Sequence, residues 1–255
     1  NEINMVLVNA LRSAGLDAYP LLYAKRNRKK VLSEFPLFSQ FKSIMAIVYL
    51  DESYFLLDAS DLTLTPGEIR EISYNGEGLV AKPNAPQWIP LESRMATEQR
   101  CSVELVELEE NIVRGELRIE ISGIYADRVR HFLDESSLQD LQDFFRKPEG
   151  VRLEYKSSNL EEYADKVSVH FSIEIVMDTF GESYVFPAVV VEPISKNPFD
   201  KDERLYPIIF PDNWIEKYTC LLRLDDSKYD VAVPQSKNLI LPGEDAQLSF
   251  MASYN

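Results

Sequence analysis

A strict alternation of apolar and polar side chains at residues 167–175 is the strongest structural signal in the sequence. The apolar members of this series are Val167, Val169, Phe171, Ile173 and Ile175. A period of two places one row of side chains in a core and the other in solvent, so this segment predicts a strand with one buried face. Shorter alternating runs at 101–105, 117–121 and 218–224 predict further strands, and we therefore predict an antiparallel β-sandwich over residues 91–255.

A helical segment interrupts these strands near residues 125–147. Two stretches, 125–133 and 137–147, are predicted to be helical, and Ser136 precedes the second as a predicted N-cap. The second stretch carries an apolar stripe made of Leu138, Leu141, Phe144 and Phe145. We predict that these residues form a helical insert within the sandwich.

The first 90 residues have a different pattern, which predicts a partial α/β subdomain. An amphipathic helix is predicted over 1–14, and Gly15 follows it where a left-handed cap belongs. Its predicted apolar face is Ile3, Val6, Leu7, Ala10, Leu11 and Ala14. Strands are predicted at 18–24, 44–50 and 54–58, the last two as a hairpin. From residue 66 the pattern breaks up, and we predict a domain boundary between residues 83 and 97, which gives an α+β chain with domains at 1–90 and 91–255.

Charge excludes several classes of partner. The chain has 42 acidic and 27 basic residues, a net charge of −15. Such a surface repels phosphate, so nucleic acid and anionic lipid surfaces are not expected partners. No apolar run approaches the roughly 20 residues that span a bilayer, so membrane insertion is not expected either. The basic segment Lys25–Lys30 is predicted to be an exposed loop.

Cysteine and histidine offer little material for a catalytic or metal site. Cys101 and Cys220 each fall in phase with the apolar residues of a predicted strand, which indicates core thiols; in an exported protein the two could instead form a disulfide with each other. His131 and His170 have no second ligand at metal spacing. Two acidic loops, at 200–203 and 225–230, lack the ligand spacing of a helix-loop-helix calcium site and are predicted to be solvated turns. We expect neither a metal nor a cofactor.

Residues 2–20, 39–50 and 56–60 resemble the second half of a transglutaminase-like core of the papain type. In the downstream half, Gly123, Ala126, Arg130 and the segment 197–207 resemble the β-sandwich of unknown function that follows such cores in large exported bacterial proteins. The resemblance implies a periplasmic or cell-surface location. It also implies upstream domains of the parent protein as partners.

The same resemblance shows which catalytic groups this chain lacks. The family uses a cysteine at a helix N-terminus, a histidine on the neighbouring strand and an aspartate on the next. Matching the motifs places the cysteine position before Asn1, the histidine position on Ser43 and the aspartate position on Asp58. A serine hydroxyl does not titrate near neutral pH, so it cannot replace an imidazole as a proton carrier. Asp58 is then a vestigial catalytic residue, or simply a carboxylate that caps a turn.

Three functions follow from these observations. The first is a non-catalytic scaffold, or a surface that binds a protein or peptide, within a larger exported transglutaminase-like protein. The second is part of a cysteine peptidase or transglutaminase-type acyltransferase whose nucleophile lies upstream. The third is a carbohydrate-binding sandwich, in which the rings of Trp88 or Trp214 stack on a glycan.

Overall fold

The computed structural model describes residues 2–35, 37–64, 66–92, 97–160, 166–191, 213–225, 227–233, 235–240, 247–251 and 253. Within these ranges the chain is a β-rich α+β fold built on two five-stranded sheets, which confirms the predicted class at this level. None of its described helices has the length and apolar character needed to cross a bilayer.

The first sheet contains the strands of the N-terminal part. Helix α1 (Glu2–Ser13) precedes the sheet, whose strands in chain order are β1 (Asp17–Tyr23), β2 (Ser43–Leu50), β3 (Ser53–Leu57), β4 (Gly76–Val80) and β5 (Gln87–Leu91). The strand order is β3-β2-β1-β4-β5, and every neighbouring pair is antiparallel. The predicted helix and the β2–β3 hairpin are confirmed, whereas β4 and β5 lie where we predicted that the pattern breaks up.

Only a narrow row of side chains on helix α1 is buried against this sheet. It ends at Gly15, whose φ of +85° supports a left-handed cap, and the Leu16 N–H donates to the Leu11 carbonyl over 3.0 Å. Asn4 and Val8 are its buried residues. The predicted apolar face is wrong: Ile3, Val6, Ala10 and Ala14 are exposed, and only Leu7 and Leu11 are half-buried. The helix is rotated so that a polar side chain, Asn4, points inward instead.

The second sheet has the order β12-β6-β7-β9-β8. Its strands are β6 (Thr97–Glu109), β7 (Ile112–Ser122), β8 (Val151–Ser158), β9 (Lys166–Val176) and β12 (Trp214–Leu222). Two separate two-stranded sheets are β10 (Asp178–Phe180) with β11 (Ser183–Val185), and β13 (Lys237–Ile240) with β14 (Gln247–Phe250). The alternating series at residues 167–175 lies on β9, and its five apolar side chains are all buried.

Two features of this sheet differ from the prediction. Strand β12 runs parallel to β6, with Trp214 opposite Thr97 and Leu222 opposite Leu105. Parallel strands cannot be joined by a tight hairpin turn, and more than a hundred residues separate β6 from β12 in the sequence. In the described part of the chain the buried face is covered by helical residues, including Val129 and Leu141, and not by a second large sheet. The predicted insert is therefore the second layer.

The covering helices are α2 (Ile124–Leu133) and α3 (Leu141–Phe144). A short 3-10 turn precedes α3, and its cap is Ser137, whose backbone N–H and hydroxyl both donate to the Asp140 carboxylate. This cap lies one residue after the predicted Ser136, because Asp140 stands at the position that completes a capping box with Ser137.

Helix α2 also ties the two parts of the chain together. Its first residue, Ile124, packs in the core of the first sheet, whereas Val129 packs in the core of the second. On its exposed side, the Arg128 guanidinium donates two hydrogen bonds to the Glu71 carboxylate, at 2.7 and 2.9 Å. Helix α2 thus contributes side chains to the cores of both sheets.

Candidate functional site

The side chain of Asn4 joins three elements of the first sheet. Its Nδ2 donates to Asp58 Oδ1 at 2.7 Å and to the Ile44 carbonyl at 2.9 Å. Its Oδ1 accepts from the backbone N–H of Ala59 at 2.8 Å. Because Asn4 is 1% exposed, these bonds are shielded from water. They hold the first turn of α1 against the start of β2 and the residues that follow β3.

Asp58 accepts further hydrogen bonds from Ser60. The Ser60 backbone N–H lies 3.0 Å from Asp58 Oδ1, and the Ser60 hydroxyl lies 2.5 Å from the same oxygen. A carboxylate that accepts from the residue two positions ahead closes an Asx-type turn. This geometry favours the turn-capping interpretation of Asp58.

Ser43 lies opposite Tyr23 in the β1–β2 ladder, at the start of β2. A hydrogen bond joins the Ser43 side chain to the Tyr23 hydroxyl, and the Ser73 hydroxyl donates to the same oxygen at 3.2 Å. Burial raises the pKa of Tyr23, and the negative charge of Asp58 raises it further. The phenol is therefore neutral at physiological pH.

We call the residues Asn4, Tyr23, Ser43, Asp58 and Ser73 the polar junction. The structure brings the start of α1, the start of β2 and Asp58 together. These are the places at which the resemblance puts the family's cysteine, histidine and aspartate. The groups present are one amide, two serine hydroxyls, a phenol and one carboxylate. None of these five side chains is an imidazole or a thiol, and their described contacts are hydrogen bonds.

The two histidines lie on other elements. His131 is in α2, where its Nε2 is 3.1 Å from a guanidinium nitrogen of Arg70. His170 is in β9, opposite Arg118 on the polar face of the second sheet. Neither imidazole belongs to the polar junction.

Both cysteines are free thiols in the second sheet. Cys101 lies opposite Tyr218, and Cys220 lies opposite Val103, in the parallel β6–β12 pair. Burial raises the pKa of Cys101 to about 12 and also raises the pKa of Cys220. A thiol that stays protonated is a poor nucleophile, in agreement with the predicted core thiols.

A second polar cluster, which the sequence analysis missed, lies between α2 and the segment before β4. Burial raises the pKa of Asp127 well above its usual value, and the neighbouring Glu68 carboxylate, which shares a hydrogen bond with it, raises it further. The Arg130 guanidinium, 3.4 Å away, acts in the opposite direction. Close by, Arg70 forms an ion pair with Asp61 at 3.2 Å. The spacing of Asp127 and Arg130 on one helix face was visible in the sequence, but their distant partners were not.

The other candidate residues have structural surroundings. The ring of Trp88 lies 6.0 Å from that of Phe41, centroid to centroid, and Trp214 is exposed at the start of β12. Asp225 accepts from the backbone N–H and hydroxyl of Ser227, and these bonds together with Lys228 lower its pKa to about 2. This is a solvated turn. Residues 197–207, including Asp200, Asp202 and Glu203, and also Asp226, lie outside the described residues.

Comparison with known proteins gives no match: no family model, no curated protein and no solved structure is similar to this chain. Within the ranges that the structure describes, no three His, Cys, Asp or Glu side chains are grouped so that they could hold a metal ion.

Proposed function

We propose that residues 1–90 are a degenerate half of a transglutaminase-like core. The chain is then a non-catalytic scaffold, or a surface that binds a protein or peptide, within a larger exported bacterial protein of the periplasm or cell surface. The order of helix, strand and hairpin supports this proposal, as does the meeting of α1, β2 and β3 at the polar junction.

The hydrogen bond between Asn4 and Asp58 is the observation that carries the proposal. In a working centre of this type, the aspartate oxygen accepts from the imidazole that it orients. In this chain Asp58 Oδ1 accepts from the amide of Asn4 and from Ser60 instead. The residue at the histidine position, Ser43, is hydrogen-bonded to Tyr23. Asp58 thus holds α1 against the residues that follow β3. In this proposal the chain keeps the arrangement of elements around the family's catalytic site but not the groups that transfer protons there.

If the polar junction has a structural role, a partner must bind elsewhere, and the exposed face of α1 offers a surface for it. Ile3 and Val6 form an exposed apolar strip on the face of α1 that points away from the sheet. Upstream domains of the parent protein are the partners that we propose for it, since apolar side chains gain most from being covered by a second folded surface.

Acyl-transfer and peptide-hydrolysis assays on the full parent protein test the proposal. We expect no turnover above background, and no difference between the wild-type protein and Asp58→Asn. A matched control is Asp51→Asn, since Asp51 is an exposed residue of the β2–β3 turn and its φ of +52° suits asparagine.

Turnover that falls at least about tenfold in Asp58→Asn, but not in Asp51→Asn, would show that Asp58 takes part in catalysis. That result would favour the second function, a cysteine peptidase or acyltransferase whose nucleophile lies upstream. Circular dichroism of both variants checks that the fold is intact.

A further inference from the structure

The connection between β1 and β2 carries a charge opposite to that of the whole chain. We call residues 25–35 and 37–42 the basic–aromatic loop. It has six basic residues and one acidic residue, a net charge of +5 in a chain whose total is −15. Arg28, Lys29 and Lys30 are exposed, and no ion pair within the described part of the chain involves them.

Four large apolar side chains follow this cationic run and lie in water. Leu32 is 57% exposed, Phe35 72%, Leu37 64% and Phe38 79%. Isolated apolar side chains are common on protein surfaces, but four within one short segment form a patch that marks an interaction site. Rings exposed to this degree protrude from the surface, whereas a ring that lines a groove is covered on one side.

The exposure of these side chains results from an ordered loop. The Gln40 side chain closes it, because Oε1 accepts from the Leu32 N–H at 2.8 Å and Nε2 donates to the Phe35 carbonyl at 2.6 Å. The base of the loop is fixed to neighbouring backbone. Its contacts are Arg26 N–H to the Ile72 carbonyl at 2.7 Å, Asn75 Nδ2 to the Lys25 carbonyl at 3.1 Å and Lys42 N–H to the Tyr23 carbonyl at 3.1 Å. A compact loop closed by its own side chains is a common functional element.

We propose that the basic–aromatic loop attaches the protein to the surface of an anionic lipid bilayer. Phe35, Phe38 and the two leucines enter the boundary between headgroups and acyl chains, while Arg28, Lys29 and Lys30 contact the lipid phosphates. Protruding rings with a cationic run beside them fit a bilayer, which deforms around side chains. A protein partner would need a preformed pocket for each ring. The attachment uses side chains alone and no membrane-spanning segment.

The net charge of the chain predicts repulsion from such a surface, but that charge is unevenly distributed. Electrostatic forces between exposed groups are screened over about 8 Å at physiological ionic strength. The charges at the contact therefore decide the outcome, and in the loop they are positive. The acidic remainder of the molecule limits the attraction at low salt and favours an orientation with the loop towards the lipid.

Co-sedimentation of the full chain with vesicles tests this proposal. We expect binding to mixed phosphatidylcholine–phosphatidylglycerol vesicles, and much weaker binding to pure phosphatidylcholine or at high salt. Replacing Arg28, Lys29 and Lys30 together by glutamine should weaken binding about 100-fold, since each charge near the surface contributes about a factor of five. The double variant Phe35→Ser/Phe38→Ser should weaken it at least about tenfold.

A matched control is Phe180→Ser. Phe180 is 69% exposed in β10, outside the basic–aromatic loop, and its replacement should leave vesicle binding unchanged. All the replaced side chains are exposed, so thermal unfolding of the variants should match that of the wild-type chain. Absence of binding to anionic vesicles would overturn the proposal and would favour a protein partner for the loop. Binding that the Phe35/Phe38 and Arg28–Lys30 variants retain in full would overturn it as well.

Discussion

Replacing Asn4 by alanine is expected to lower the free energy of unfolding by about 2–4 kcal/mol. The variant loses the three hydrogen bonds of the buried Asn4 side chain and leaves the half-buried Asp58 carboxylate, Ile44 carbonyl and Ala59 N–H with one partner fewer. A buried polar group left without its partner costs more than the net gain from forming the bond, because it was already removed from water. Thermal unfolding should shift downwards by on the order of 10 °C.

The matched control for this experiment is Asn9→Ala. Asn9 lies on the same helix but on its exposed face, so the substitution removes an identical side chain without touching the polar junction. Since alanine favours helix, the control should unfold at the wild-type temperature or slightly above it. Equal losses of stability in the two variants would show that Asn4 contributes no more than a surface residue does.

The second large effect is expected from Asp127→Asn, and it depends on pH. The pKa of Asp127 is raised in the folded protein, so the folded state keeps a proton that the unfolded state releases above about pH 4. This group therefore lowers the stability of the fold progressively as pH rises from about 4 towards neutrality and beyond. An amide has the same shape and no charge to bury. We expect the variant to be more stable than the wild-type protein by about 1–3 kcal/mol at pH 8, with little difference at pH 4.

Urea unfolding at several pH values between 4 and 8 measures this difference. A suitable control is Asp143→Asn in α3, because the Asp143 side chain is exposed and its substitution should leave the pH dependence unchanged. A constant difference between Asp127→Asn and the wild-type protein across this range would contradict the assignment of a protonated Asp127 at the interface of α2.

Local patterns allowed a good part of the fold to be predicted. The alternation at 167–175 specifies β9, because a shift of one residue would place five apolar side chains in water. Gly15 indicated the end of α1, since only glycine adopts the left-handed cap without cost. The apolar runs on both sides of residues 51–53 indicated the β2–β3 hairpin. In each of these cases the information lies within a few neighbouring residues.

Features that depend on distant residues were not predictable in the same way. The parallel pairing of β12 with β6 joins residues more than a hundred positions apart, and alternation is the same for parallel and antiparallel edges. Strands β4 and β5 contain Gly76, Gly78 and Pro90, which weaken any strand pattern. The role of α2 as a covering layer depends on which sheet it meets. Periodicity identifies an apolar face but not its partner.

In the candidate site, too, some residues could be identified from the sequence and others only from their neighbours in space. Asp58 and Ser43 could be named from the sequence because a family resemblance assigns them positions. Asn4 was missed because an asparagine in an amphipathic helix is expected on the solvent side. Its inward position becomes understandable once Asp58 is seen beside it, since a half-buried carboxylate needs donors. Likewise, the raised pKa of Asp127 results first from burial and then from Glu68, which is its neighbour in space only.

The rate at which the folded chain reacts with a thiol-alkylating reagent tests whether Cys101 and Cys220 are unreactive core thiols and not activated nucleophiles. We expect slow alkylation of both thiols at neutral pH, and a sharp increase only when the protein unfolds, because burial raises the pKa of each. Single Cys101→Ser and Cys220→Ser variants assign the signal to each thiol. Rapid alkylation of either cysteine in the native chain, with a titration midpoint near or below pH 7, would contradict this expectation.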